Sequence, residues 1–185
     1  MNLSLVKEVH LRLSNVIQAG DLCLDATAGN GFDTLFLAQH VGSTGTVHAL
    51  DVQDEALHMT RRLLEQHGVS ERMTTHLSCH SQMDLVLPRS EHGLIRATTF
   101  NLGYLPKGDK TIITERKSTL TALGMAYDWL RVGGILSVLC YRGHAGGKEE
   151  EEGVQKLIQQ CGWKSEIIPG NDSSESPVLH WIEKT

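Results

Sequence analysis

Leu22-Cys-Leu-Asp-Ala-Thr-Ala-Gly-Asn-Gly-Phe-Asp-Thr34, followed by Thr46-Val-His-Ala-Leu-Asp51, decides the fold. Leu22, Cys23 and Leu24 form a short apolar run of the kind that fills a buried parallel strand. The run ends in Asp25. Gly29 and Gly31 follow; lacking a Cβ, they permit positive φ and let a ligand approach the backbone. Asp33 and Thr34 are favourable residues at the start of the helix that continues through Leu35-Phe-Leu-Ala38. A second apolar run ends in Asp51, twenty positions after Gly31. Strand, glycine turn, helix and strand make a βαβ unit of the nucleotide-binding type, and a carboxylate at Asp51 is placed to accept both hydroxyls of a ribose.

Two departures from the dinucleotide fingerprint select the ligand. That fingerprint wants a small residue where Thr34 stands, and it offers an uncharged helix N-terminus to a pyrophosphate. Here Asp25 and Asp33 flank the glycines. Two carboxylates repel a pyrophosphate and suit a ligand carrying an ammonium and a sulfonium, which favours S-adenosylmethionine over NAD. The bland alternative is a tight strand-to-helix turn with no ligand.

The 185 residues suffice for one domain spanning 1–185 with a full core, and 40% hydrophobic with 21% charged residues is an ordinary globular balance. No apolar run approaches the roughly 20 residues of a membrane span, and the N-terminus has no signal-peptide pattern. Cys23, Cys79, Cys140 and Cys161 have no CxxC spacing, and no histidine sits in an HExxH pattern. The expectation is reduced cysteines, no metal and a cytoplasmic location. A net charge of −5 argues against indiscriminate nucleic-acid binding, while leaving room for an RNA held by a local basic face.

Periodicity and punctuation predict a helix over 3–18, a strand from Leu22, a helix from Asp33 and a turn at 42–45. A strand over 46–52 follows, then a helix capped by Asp54 and closed by Gly68. Next come a strand over 73–78, a brief helix over 84–87, a strand over 94–101 and a long helix over 114–130 stopped by Gly133-Gly134. The chain ends with a strand over 135–141, a helix over 148–161, and strands over 164–168 and 177–183. This alternation predicts an α/β fold: a mostly parallel seven-stranded sheet with helices on both faces. The last two strands, joined by a polar turn, predict an antiparallel edge hairpin.

Ligands of such sheets sit at the carboxyl ends of the strands. Those ends carry Asp25 with the glycine loop; Asp51, Val52 and Gln53; His80, Ser81, Gln82 and Met83; and Asn101 to Pro106. The segment Phe100-Asn-Leu-Gly-Tyr-Leu-Pro-Lys-Gly-Asp-Lys110 is similar to the Asn-Pro-Pro-Tyr loop of amino-directed methyltransferases. In that loop an Asn holds the attacking amine and an aromatic ring stacks on the base. Asn101 and Tyr104 stand at those places, with Leu102-Gly103 replacing the prolines. The competing reading puts Tyr104 in the core. Tyr141-Arg-Gly-His-Ala-Gly-Gly147 adds two candidates for handling a proton, Tyr141 and His144, and a cation, Arg142. Lys107, Lys110, Arg116, Lys117, Arg142 and Lys148 form a candidate basic rim, against the alternative of scattered solvated charges. His10 reads as a surface or half-buried helix residue.

The motifs Asp-Ala-Thr-Ala-Gly-Asn-Gly-Phe-Asp-Thr, Phe-Asn-Leu-Gly-Tyr-Leu-Pro and Tyr-Arg-Gly-His-Ala-Gly-Gly-Lys-Glu-Glu, in this order, resemble a bacterial family labelled rRNA methylase. Members of that family methylate the amine of 5-aminomethyl-2-thiouridine at the tRNA wobble position. The resemblance implies a Rossmann-like class I methyltransferase core, S-adenosylmethionine as cofactor and the tRNA anticodon region as partner. It implies that Asn30, Asp33 and Thr34 contact the methionine part. Asp51 and Gln53 would hold the ribose, Ser81 and Gln82 lie near the adenine, and Asn101 lie near the sulfonium. Asp25, Gly29 and Gly31 complete the expected cofactor set. Asp33, Asn101, Tyr141 and His144 are the catalytic candidates, with Asp33, Tyr141 and His144 all open as the base. Tyr104, Lys107, Lys110 and Arg142 are the expected substrate contacts. The rivals are a methyltransferase acting on rRNA or a small amine, and a non-catalytic cofactor-binding module. A homodimer is left open.

Overall fold

The computed structural model of the chain describes residues 4–105, 113–171 and 173–185. Its elements are α1 (Leu5–Ser14), β1 (Leu22–Asp25), α2 (Phe32–His40), β2 (Thr46–Asp51), α3 (Asp54–Gln66), β3 (Met73–Leu77) and α4 (Met83–Val86). They continue with β4 (Ile95–Leu102), α5 (Arg116–Trp129), β5 (Leu130–Cys140), α6 (Gly147–Cys161), β6 (Lys164–Pro169) and β7 (Val178–Glu183). The seven strands make one sheet in the order β3-β2-β1-β4-β5-β7-β6. β1 to β5 run parallel, and β7 is antiparallel to both β5 and β6. The alternation of strands and helices and the edge hairpin are as the sequence predicts.

Successive strand residues face opposite sides of the sheet, so each central strand feeds two cores. Leu24, Leu50, Phe100, Leu136 and Val138 pack with Leu123 and Trp129 of α5 and with Val154 and Ile158 of α6. Cys23, Val47, Ala97 and Leu139 pack on the other face with Val9 and Leu13 of α1, Leu37 of α2 and Leu64 of α3. Both faces of the central strands are therefore dry, as a parallel sheet requires.

Several boundaries differ from the sequence reading for local reasons. Asp54 is the first helical residue of α3 rather than its cap; Gln53 holds that place in extended backbone. Gly133-Gly134 does not separate helix from strand. Leu130 already pairs with Ile95, the register shifts, and Ile135 resumes opposite Ala97. The glycines lie in this bulge, where a Cβ on Gly134 would stand 2.7 Å from the Arg131 carbonyl oxygen. Arg96 supports it from inside β4: its guanidinium donates to the carbonyls of Val16 and Gly133. Because β1, β2, β4 and β5 run parallel, Asp25, Asp51, Asn101 and Tyr141 arrive at one rim of the sheet.

Candidate active site

The loop after β1 is stitched to both neighbouring strands. Ala26 N–H donates to the Thr99 carbonyl and Ala28 N–H to the Leu50 carbonyl, each at 2.9 Å. Gly31 turns the chain into α2 at φ +82°, and a Cβ there would lie 2.8 Å from the Cα of Thr60. Only glycine satisfies both constraints. Asp51 fixes the loop from β2: Oδ2 accepts from Gly29 N–H and Oδ1 from Gln53 N–H, both at 2.9 Å. An ionised carboxylate has about four acceptor positions, so this one retains capacity for two ligand hydroxyls.

Asp25 and Thr34 lie beneath this surface instead of on it. Asp25 is fully buried. One of its oxygens accepts from Thr27 N–H at 3.2 Å and the other from the Thr34 hydroxyl at 2.6 Å. Burial, then the charge of Asp33, pushes its carboxyl up to about 7 against the pull of those hydrogen bonds. Thr34 is likewise fully buried. Of the expected cofactor contacts, Asp25, Gly31 and Thr34 are thus the support under the loop.

Asp33 projects from the first turn of α2 and joins three elements. Its Oδ2 accepts from the Asn101 side-chain amide at 2.6 Å, and its Oδ1 lies 2.6 Å from Nε2 of His10 on α1. Asn101 is oriented in turn by its own backbone N–H, which donates to the Thr27 hydroxyl at 2.8 Å. The Tyr141 phenol has its pKa raised by burial and by the charge of Asp33, so it keeps its proton at neutral pH and serves as a donor.

A cavity of about 680 Å³ opens at this rim, within the roughly 300–1,000 Å³ of small-molecule sites. Its wall brings together Gly29, Asn30, Asp33, Asp51, Gln53, Asn101, Tyr104, Tyr141 and His144, all foreseen from sequence. His144 donates from Nδ1 to the Ala145 carbonyl at 3.0 Å. Its ring stands edge-on to Tyr104, centroids 6.1 Å apart. Its Nε2 is buried, without a hydrogen-bond partner among the described residues.

Other expected contacts fall elsewhere. Ser81 and Gln82 are not in the wall; the 3-10 turn His80–Gln82 carries them away. Ser78 and Cys79, which join β3 to the turn, and its first residue His80 line the cavity instead. Burial lowers the pKa of His80 to about 4, so a neutral imidazole faces this end of the cavity. Arg142 donates to the carbonyls of Ser176 and Ser173, and so fastens a turn whose Glu175 lines the cavity. Lys148 also reaches that turn, at Ser174. Lys107 and Lys110 lie outside the described residues. Sequence reasoning misses Glu175, Glu115 and His10, because no local spacing marks them; each is brought to the site by tertiary packing.

Residues 47–175 match the profile of a family described as "Putative rRNA methylase". The chain belongs to that family. Among solved structures, it is 34% identical to the putative rRNA methylase of Clostridium thermocellum over the whole of both chains, with a TM-score of 0.92. It is 32% identical to a putative methyltransferase of Streptococcus mutans in complex with SAH, again over both whole chains, with a TM-score of 0.86. It is also 44% identical over 154 residues to the chloroplastic tRNA (mnm(5)s(2)U34)-methyltransferase of Arabidopsis thaliana, covering 79% of this chain. The chain spans about half the length of that relative, 56%. The seven-stranded order of this rRNA methylase family member is the class I methyltransferase fold, shared with an O-methyltransferase of Thermotoga maritima at 16% identity and a TM-score of 0.68. No helix among the described residues is long and apolar enough to cross a membrane.

Proposed function

We propose that the chain is a single-domain, S-adenosylmethionine-dependent methyltransferase acting on the amine of 5-aminomethyl-2-thiouridine at the tRNA wobble position. The observation that carries this reading is the Asp33–Asn101 pair in the wall of the cavity that Asp51 and Tyr104 also line. The cavity fits the cofactor in kind. Asp51 retains acceptor capacity for ribose hydroxyls, Asp33 and Asn30 present oxygens to a cationic methionine part, and Ser78 to His80 flank the adenine side. Asn101 would lie near the sulfonium, and Tyr104, also in the wall, would offer a face to the nucleobase.

When bound, S-adenosylmethionine supplies a methyl group on a good leaving group, so the protein's task is alignment and proton handling. An alkyl amine is protonated at neutral pH and must lose a proton before it attacks. Asn101 and the Tyr141 hydroxyl orient the nitrogen, while Asp33 attracts its charge. The anticodon region is the part of tRNA that presents this nucleoside, and the name of the Arabidopsis relative supports that substrate. The cytoplasm is the proposed location, although that relative is chloroplastic.

The test is incubation of purified protein with S-adenosylmethionine and bulk tRNA from cells lacking the gene, followed by nucleoside mass spectrometry. Loss of 5-aminomethyl-2-thiouridine with gain of its methylated form is expected. No change, with cofactor binding measured separately, would overturn the substrate and move rRNA and small amines forward.

A further inference from the structure

We propose that Phe32 is a stacking platform for an unpaired nucleobase that neighbours, in the RNA strand, the nucleoside being methylated. This deepens the reading above and rests on it. The chain has three phenylalanines, and two of them are engaged within the fold. Phe36 has the rings of His10 and His40 against it, each with centroids 4.1 Å away. Phe100 is buried and meets the His80 ring. Phe32 is 64% exposed, and among the described residues no ring or cation stacks on it. A lone exposed apolar side chain needs no explanation. Phe32 is not alone: Val52, Tyr104 and Tyr141 are also exposed and line the same cavity.

Its place is fixed by the chain. Gly31, in left-handed backbone, turns directly into Phe32, the first residue of α2. Val6 stands one turn before His10 on α1, Phe32 one turn before Phe36 on α2, and His10 stacks on Phe36. The facing sides of the two helices therefore carry Val6 and Phe32 to the cavity wall. α1 and α2 cover one face of the sheet and α5 the other. Tyr104 belongs to the α5 flank, where it bridges to Ile113 just before that helix. The Asp33–Asn101 hydrogen bond joins the two flanks, since Asp33 follows Phe32 and Asn101 precedes Tyr104 in the chain. A nucleoside whose amine meets Asn101 and whose base meets Tyr104 leaves Phe32 to the next base along the strand.

The charge of the wall selects which part of an RNA approaches it. Asp33, Asp51, Glu115 and Glu175 line the cavity, and among the described residues no lysine or arginine does. Such a mouth repels phosphates but not the uncharged face of a base. Stacking on an aromatic ring is the means by which proteins hold unpaired bases without phosphate contacts at that point.

The probe is an anticodon stem-loop RNA carrying 5-aminomethyl-2-thiouridine, titrated into protein loaded with S-adenosylhomocysteine. Phe32→Ala is expected to weaken RNA binding about ten- to a hundredfold, the range of one base–aromatic stack. Its S-adenosylhomocysteine affinity by calorimetry and its melting temperature should match wild type. Phe32→Leu keeps an apolar side chain without a π-face and should lose most of the same affinity, while Phe32→Trp should retain it. Stem-loops with an abasic nucleotide on the 5′ or the 3′ side of the target locate the base: on one side, the abasic loss and the Phe32→Ala loss should be non-additive. Phe32→Ala with wild-type RNA affinity, Phe32→Leu equal to wild type, or losses that add fully on both sides would overturn the stack while leaving the methyltransferase intact. A Phe32→Ala protein that loses cofactor affinity instead would assign the ring to the cofactor and overturn the stack likewise. A wild type that binds the cofactor, yet binds and methylates neither the stem-loop nor intact tRNA, would overturn the functional reading and the stack with it.

Discussion

Replacing Asp25 with asparagine should make the protein more stable, and increasingly so as the pH rises. Asp25 is fully enclosed, and its oxygens accept from Thr27 N–H and the Thr34 hydroxyl. Its carboxyl is raised from 3.8 to about 7, first by burial and then by the charge of Asp33. A carboxyl raised in the folded state favours folding while protonated. That contribution is complete below the unfolded value near 4 and is lost as pH rises through about 7. A separation of about three units at ~1.4 kcal/mol each gives an upper bound of about 4 kcal/mol, which water entry and relaxation would reduce. The substitution keeps the geometry. The new side-chain carbonyl accepts from Thr27, and the new amide donates to a Thr34 hydroxyl that rotates to receive it. The assay is urea unfolding of both proteins between pH 4 and 8, reading only their difference so that other titrating groups cancel. The stability of Asp25→Asn relative to wild type should climb by up to about 1.4 kcal/mol per unit to pH 7 and level off above it. A difference that stays flat across this range would refute an ionisable burden at Asp25.

Asp51→Ala should weaken S-adenosylmethionine binding at least about a hundredfold by calorimetry, since two hydrogen bonds to a carboxylate are worth ~1.5–3 kcal/mol each before solvent competition; unchanged affinity would remove Asp51 from the ribose site. Gly31→Ala should lower the melting temperature by about 5 °C or more, because φ +82° and a Cβ 2.8 Å from Thr60 Cα leave no relaxed position; a wild-type melting point would mean the loop shifts freely. Glu151 has its pKa lowered by the hydrogen bond from buried His180. Its contribution is therefore present above the ordinary carboxylate range and lost as pH falls through the depressed value. Glu151→Gln should be less stable than wild type at pH 7 by a margin that narrows as the pH falls below the ordinary carboxylate range, and a gap that does not narrow would show that packing, not ionisation, is at work.

What can be read from the chain is what local spacing controls. The strand from Leu22, the glycine turn and Asp51 lie within one βαβ unit, so their roles follow from chain order. Gly68 and Gly162 end helices in left-handed backbone, at φ +64° and +65°, as their positions suggest. Spacing identifies which residues leave a strand end but not where a tight turn aims them. For this reason the sequence points to His80, Ser81 and Gln82 where Ser78, Cys79 and His80 line the cavity. Composition also fails to separate a polar residue that meets a ligand from one that meets another polar residue. Thr34 satisfies Asp25 and Arg142 satisfies the turn over 173–176, although both read as ligand contacts in the sequence. His10 lies 23 positions from its partner, and only the packing of α1 against α2 joins them.

The same carboxylates explain both the cost and the selectivity of the site. Asp25 and Asp33 raise each other's energy when both are ionised, and among the described residues no lysine or arginine hydrogen-bonds to either. Asn101, Thr27 and Thr34 share the load through hydrogen bonds, which orient the oxygens without cancelling their charge. An arginine in the place of Asn101 would stabilise the free protein more, yet it would neutralise the pair and repel a cationic ligand. The site is thus destabilised in the direction that a cation corrects. A bound ammonium or sulfonium relieves the repulsion between Asp25 and Asp33, whereas the pyrophosphate of a dinucleotide would add to it. The charge that limits stability is the charge that chooses the ligand.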